Sequence, residues 1–342
     1  MAIKKILLVG TLPPSPDVYT YTTSFYWALT SLGYQTTVFD YRQPARWWKY
    51  RVPYIHAHYV NQALLAHVKQ TNPDHMLVLK GETIWASTLA TIKKTHGCTI
   101  SNFYTDNPFT VWNGNSNQEV LASLPHYDCF MSWSKLLQPI LLSAGSNHSC
   151  YFPFAYDETL FAPLSAVTSE IKKRYDVCFI GTWEPERERW LSHIKQTMPH
   201  ISLAVWGNRW HEHCQDIMLR SSIQGPALYG TGMIEAFRAS HIVLNFIRAQ
   251  NSTAHNMRSL EVPASGAFLL TQRSYEQAEV LFKEHEHIGC FETPIELVDK
   301  INYYLARPAM ITAMAQKAHA HVQHLSLTQQ LTQYFDCCPV LK

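Results

Sequence analysis

The sequence predicts an α/β protein built from two mostly parallel sheets, each covered by helices on both faces. Three observations predict it. Short apolar runs bounded by turn residues alternate with helix-length segments along the chain. Its 342 residues make about two domains at roughly 100–200 residues each. The opening theme, an apolar run into Val9-Gly10-Thr11, returns as Ile180-Gly181-Thr182 at the start of the second half.

The first half begins with a strand at 6–9, the turn Gly10-Thr11 and a proline-rich loop ending at Asp17. A helix over 21–32 stops at Gly33, and a strand over 35–39 closes at Asp40, at the length of a βαβ unit. A helix at 60–69, the turn Pro73-Asp74 and a strand at 75–79 follow, the strand ending in the polar corner Lys80-Gly81-Glu82. A helix at 84–94 passes through Gly97 into a strand at 99–103, which runs out in Tyr104-Thr105-Asp106-Asn107-Pro108. A strand at 128–132, a helix at 135–143 and an apolar run at 150–154 complete this half.

The turn-rich residues 156–175 read as a linker. The second half has strands at 176–180, 202–206 (ending at Gly207-Asn208) and 241–246, with helices at 186–196 and 233–239. Residues 256–271 then supply a short polar helix, the small-residue turn Pro263-Ala264-Ser265-Gly266 and an apolar strand from Ala267 to Leu270. Helices at 295–305 and 309–321 flank Pro308, and a last helix covers 327–335. The expected domains are 1–155 and 176–322, with 323–342 returning to the first.

Composition excludes several function classes. Hydrophobic content of 46% against 16% charged residues describes a globular chain. With 28 basic and 26 acidic residues and no charge block, nothing points to nucleic acid. The apolar run Ile6 to Val9 is too short for a secretory signal, and no run of about 18 apolar residues forms a membrane span. The eight cysteines contain no C-x-x-C and read as reduced thiols in a cytoplasmic protein. The pairs His211/His213 and His285/His287 have H-x-H spacing, but there is no H-E-x-x-H and no D-x-D, so no bound metal is expected.

The stretch 256–271 carries the clearest chemistry. Glu261 suits ribose hydroxyls, Arg258 can fork onto phosphate, and Ser265 and Gly266 let backbone N–H groups approach a diphosphate. The same Arg and Glu also read as an ordinary surface ion pair. Gly181 and Gly207 end strands, where a tight turn explains them as well as a ligand does. The G-x-G-x-x-G fingerprint of dinucleotide enzymes is absent, which makes an NAD-linked oxidoreductase the weakest reading.

These residues also carry a resemblance. Leu77-Val-Leu-Lys80-Gly81, Tyr104-Thr-Asp106-Asn-Pro108, Phe152-Pro-Phe154-Ala155 and Asp176-Val-Cys-Phe-Ile180-Gly181 come in order. Trp206-Gly207-Asn208-Arg209-Trp210, Ile242-Val-Leu-Asn245, Arg258-Ser-Leu-Glu261-Val-Pro-Ala-Ser-Gly266 and Tyr303-Tyr-Leu305 follow. Together, over nearly the whole chain, they resemble the CgeB-type, spore-maturation-protein-like glycosyltransferases of the GT-B superfamily. One departure is Asn107, where that family usually has a second acid.

The resemblance implies two Rossmann-like domains facing a cleft, with a C-terminal helix crossing back to the first domain. It implies a UDP- or similar nucleotide-sugar donor in the C-terminal domain, with no metal or other cofactor. Asn208, Arg209, Asn245 and Asn256 then join the donor residues named above, with Arg258 stabilising the departing diphosphate. The acceptor, a glycan, lipid-linked sugar, protein or small molecule, would lie against Gly10, Lys80 and Tyr104. Asp106, or failing it Asp17, is the base if the reaction inverts; a retaining reaction needs none. The competing reading is a transferase-like scaffold that binds a nucleotide sugar or a partner without catalysis. Peripheral membrane contact and oligomeric state stay open.

Overall fold

The computed structural model describes residues 3–13, 20–44, 47, 52–110, 118–161 and 172–338. By its internal packing the chain forms two compact units, Met1–Pro153 with Leu327–Lys342, and Phe154–Ser326. Residues 156–161 of the expected linker pack in the second unit, where Tyr156 and Phe161 are buried in its core. Residues 162–171 lie outside the described residues.

The first unit carries strands β1 (Lys5–Gly10), β2 (Gln35–Asp40), β3 (His75–Leu79), β4 (Thr99–Tyr104), β5 (Cys129–Ser132) and β6 (Ser149–Tyr151). All pair in parallel, in the order β2-β1-β3-β4-β5-β6. Ile6 to Val9 are fully buried, as a strand covered on both faces requires. The helices are α1 (Tyr21–Ser31), α2 (Pro53–Thr71), α3 (Ala86–His96), α4 (Gln118–Ser123) and α5 (Leu137–Ser143). The apolar run at 150–154 gives only a short strand. The ladder closes where Phe152 N–H donates to Ser132 O at 2.8 Å, and the next residue, Pro153, has no N–H to continue it.

The second unit carries β7 (Tyr175–Ile180), β8 (Leu203–Trp206), β9 (Ile223–Gly225), β10 (Ser240–Asn245), β11 (Leu269–Gln272) and β12 (Gly289–Phe291). They pair in parallel in the order β12-β11-β10-β7-β8-β9. Its helices are α6 (Pro185–Thr197), α7 (Trp210–His213), α8 (Ile217–Arg220), α9 (Gly230–Arg238), α10 (Met257–Ala264), α11 (Pro294–Leu305) and α12 (Pro308–Val322). Proline fills the first turn of α6, α11 and α12, where its missing N–H costs nothing and its fixed φ suits the helix. The edge strands β9 and β12 are three residues each, too short to show as periodicity in the sequence.

The last helix, α13 (Leu327–Cys337), belongs to the first unit. It buries Leu327, Leu331 and Tyr334, spaced to face one side. Phe335 packs on Tyr34 at 4.9 Å between ring centroids, and the Tyr334 hydroxyl meets Ser101 on β4. Among the described residues no helix is long and apolar enough to cross a membrane.

Strand order sets where ligands bind. In each sheet the order reverses direction once, between β1 and β3 and between β7 and β10. In open parallel sheets such a point is where a crevice forms beyond the carboxyl ends of the strands, because the flanking connections run to opposite faces.

Each core also holds a buried imidazole. His75, fully buried, hydrogen-bonds Thr99 Oγ1 through Nδ1 at 2.8 Å, and burial lowers its pKa to about 4. His255 accepts from Phe154 N–H at 2.9 Å, and burial lowers it to about 3. Both therefore fold neutral, while a free imidazole protonates near about 6.5. The unfolded chain binds the extra protons, so stability is full above about pH 6.5 and is lost as pH falls. Denaturant unfolding at about pH 7.5 and about pH 5 should show a loss of about 2 kcal/mol per histidine, smaller by that amount in His75→Gln.

Candidate active site

In the second unit the crevice is built around the N-terminus of α10. Asn256 caps that helix, accepting from Ser259 N–H at 3.3 Å, and Ser259 Oγ accepts the Asn256 N–H in return. Asn256 Nδ2 also donates to Asn245 Oδ1 at 2.9 Å and to Phe246 O at 3.2 Å. Asn245, only 2% exposed, donates to Thr271 Oγ1 at 3.1 Å. Gln277 Oε1 closes the network, accepting from Ser259 Oγ at 2.7 Å and Thr271 Oγ1 at 3.0 Å. Asn245 and Asn256 thus tie α10 to the ends of β10 and β11. Gln277, in the π-helical turn Glu276–Leu281, was not anticipated, since its role depends on strands that meet only in the fold.

Arg258 and Glu261 do pair, through Nη1 and Oε2, as the ion-pair reading expects. The pair is not on the surface, because the Glu261 side chain is only 7% exposed. The Arg258 guanidinium reaches the end of β7, with Nε 3.4 Å from Ile180 O, and lies over the Phe237 ring.

Two further arginines meet it there, and sequence reading missed both. Arg187, in the first turn of α6, donates to Thr182 O at 2.7 Å and lies 3.5 Å from Glu184. Arg248, just beyond β10, binds the same Glu184 carboxylate at 2.9 Å. Burial lowers the pKa of Arg187; Glu184 opposes that, while the charges of Arg248 and Arg258 add to it. Three guanidiniums and two carboxylates, Glu184 and Glu261, thus gather at the carboxyl edge of β7 and β10 with one positive charge in excess, an arrangement that suits an anion. The available signal was a basic residue just past each of these strands.

Of the other expected donor residues, Gly181 sits within this cluster, between the Ile180 and Thr182 carbonyls that Arg258 and Arg187 approach, while Ser265 and Gly266 lie apart from it. Ser265 and Gly266 end α10 at the opposite edge of the sheet, and the Ser265 N–H is used within the helix, on Glu261 O at 3.0 Å. Gly207 is required by backbone approach, whereas Gly181 leaves room for the Phe179 ring, which a Cβ there would meet at 2.7 Å. A Cβ on Gly207 would lie 1.9 Å from Gly181 O, and its φ of +155° disfavours other residues. Asn208 O accepts from Trp183 N–H at 2.9 Å. Arg209, with φ +70°, lies exposed over Trp183, which stacks on His213 at 4.8 Å.

In the first unit a pocket of about 440 Å³ opens at the ends of β1 and β3, lined by Thr11, Tyr21, Tyr41, Arg42, His56, Lys80, Glu82 and Thr105. Lys80 adopts the left-handed conformation, φ +64°, ahead of Gly81 at +82°. Such backbone persists only where its surroundings hold it. Here Lys80 O accepts from the buried Asn102 Nδ2 at 2.9 Å, and Lys80 N–H donates to Phe103 O at 3.0 Å. Its ammonium binds Asp106 at 2.7 Å and Glu82 at 3.5 Å. Burial lowers the Lys80 pKa, but the two carboxylates outweigh it and the net shift is upward. Tyr104 contacts Glu82 at 3.5 Å, and burial followed by Glu82 raises its phenol, which stays protonated.

Gly10 lets α1 approach, since a Cβ there would lie 2.4 Å from Thr22 Oγ1. Asn107 Oδ1 accepts from Phe109 N–H at 3.0 Å, a turn that an aspartate would cap equally well. Asp17 lies outside the described residues. Among the described residues, neither histidine pair joins a group able to hold a metal.

Comparison with known proteins agrees with this architecture. A family model described as glycosyl transferase-like matches residues 186–336, under half of the chain. A sucrose-phosphate synthase from Thermosynechococcus elongatus superposes with a TM-score of 0.75 at 12% identity, covering 97% of this chain and 98% of that one. A glycosyltransferase from Rickettsia africae gives 0.71 at 12% identity, covering 99% of each. Anabaena HepE, solved with UDP-glucose, gives 0.63 at 12% identity, covering 97% and 98%. No curated protein sequence matches the chain. Two six-stranded parallel sheets, matched end to end by such structures, define the GT-B fold.

The α10 cap is testable directly. Asn256→Ala removes the cap and the bonds to Asn245 and Phe246 O, and should cost about 1–2 kcal/mol by chemical denaturation. Thr312→Ala, on the exposed face of α12, should stay within about 0.5 kcal/mol.

Proposed function

We propose that this protein is a CgeB-like glycosyltransferase that moves a sugar from a nucleotide-diphosphate donor to a hydroxyl-bearing acceptor. The observation that carries the reading is the convergence of Arg187, Arg248 and Arg258 beside Glu261, where the strand order of the second sheet reverses. In the transfer, the bond from the sugar's anomeric carbon to the diphosphate breaks, and a bond to the acceptor oxygen forms. Charge develops on the departing diphosphate, and three fixed guanidiniums stabilise it where it appears, so the chemistry calls for no metal. In this reading Glu261, paired with Arg258, accepts from ribose hydroxyls. HepE's complex with UDP-glucose makes UDP-sugars the first donors to try.

The acceptor is assigned to the pocket of the first unit. Lys80 holds Asp106, which in an inverting reaction takes the acceptor hydroxyl's proton. In a retaining reaction the same pair positions the acceptor. The free thiols of the eight cysteines suit a reducing, cytoplasmic setting.

Thermal unfolding with a panel of nucleotides and nucleotide sugars, with and without EDTA, tests the donor site. A matching donor at 100 times its Kd should add about 2.7 kcal/mol of stability, unchanged by EDTA. Arg187→Ala and Arg258→Ala should each weaken binding by roughly 10- to 100-fold, as the loss of a charged hydrogen bond does. Glu261→Ala should erase the preference for ribose over deoxyribose. Stabilisation by NAD alone, or by nothing, would sink the assignment.

Asp106→Asn separates catalysis from binding. It should leave donor binding intact and abolish transfer if the reaction inverts. Donor binding with no transfer by the unaltered protein to any acceptor tried would favour the scaffold reading.

A further inference from the structure

Three cysteines scattered through the sequence meet inside the first unit, away from its pocket-lining residues. Cys129 opens β5, Cys150 lies in β6 and Cys338 follows α13. Their sulfurs all lie within 4.8 Å of one another, with Cys129 and Cys150 at 2.9 Å. Cys129 and Cys338 are buried, and Cys150 is partly so. Cys337, next in the chain, is exposed.

Clustered thiols suit either a disulfide or a metal. The sheet register opposes a disulfide between the two strand cysteines. Cys150 stands opposite Met131, two residues beyond Cys129. Strand spacing and rise then put the two Cα atoms roughly 8 Å apart. A disulfide needs them within about 7 Å. Side chains two residues apart share a face, however, so both sulfurs point to the side where Cys338 arrives. That arrangement gathers three sulfurs around one centre.

We propose that Cys129, Cys150 and Cys338 form a three-coordinate thiolate site for copper(I), fastening the end of the chain to the first sheet. Thiolates select soft cations, and copper(I) accepts three ligands where structural zinc takes four. Binding replaces three S–H bonds with three S–Cu bonds and releases three protons to solvent. The Tyr334 hydroxyl, which lies against Cys129 and meets Ser101, supplies a donor toward the charged sulfurs.

The test uses the full chain, reduced and free of oxygen, with copper(I) shared against a chromophoric copper(I) chelator. The protein should withdraw one copper per chain and unfold at a higher temperature when loaded. Losing an outer-shell partner already costs about 10- to 100-fold in metal affinity, so Cys338→Ser should cost at least about 100-fold. Cys338 lies past the last helix, so this variant should keep the wild-type circular dichroism and nucleotide response. Cys337→Ser should bind like wild type. No withdrawal of copper, or equal binding by Cys338→Ser, overturns the site. Zinc held more tightly than copper and lost in His75→Ala would overturn the three-coordinate assignment, because the buried His75 Nε2 is the neighbouring donor with no partner.

Discussion

Much of the second unit depends on one buried polar network. Asn245, Ser259, Thr271 and Gln277 are each at most 2% exposed and satisfy one another. Buried polar groups cost about 1–3 kcal/mol each when left unpaired, so the four hold or fail together. While they hold, the first turn of α10 is fixed against the ends of β10 and β11. Arg258 and Glu261 then stand at the strand-order reversal, a position that helix propensity alone could not guarantee for an eight-residue helix.

The two crevices handle charge differently. In the first unit Lys80 is pinned between Asp106 and Glu82, one cation against two carboxylates, which leaves a negative charge in excess. In the second, Arg187, Arg248 and Arg258 stand against Glu184 and Glu261, so the balance is one positive charge, which suits an anion. That contrast is the physical ground for placing a diphosphate in the second unit and a neutral hydroxyl acceptor in the first. Both rest on the same geometry, because a parallel sheet delivers all its strand ends, and the polar turns after them, to one edge.

The thiol cluster is of another kind. It lies on β5, β6 and the tail after α13, where the last helix docks on the first sheet. Here the buried face of α13, the Tyr334 contact with Ser101 and the three sulfurs all act on that segment.

Most of the fold was legible in the sequence. Runs such as Ile6 to Val9 and Met76 to Leu79 are buried on both faces and therefore continuously apolar, which marks a parallel strand. The helices read at 186–196, 295–305 and 309–321 are present, each beginning one residue earlier at a proline, and Glu261 with Arg258 stood out as charges beside a glycine turn. Local steric and solvation rules determine these features, so neighbouring residues suffice to read them. Tertiary structure decided the rest. Ser265 and Gly266 fell at the far end of α10, Gly207 answered to backbone approach and Gly181 to the Phe179 ring, and Arg187, Arg248 and the three cysteines came together from distant segments. Such groups interact only over a few ångströms, and which distant segments come that close is set by strand order, not by spacing along the chain.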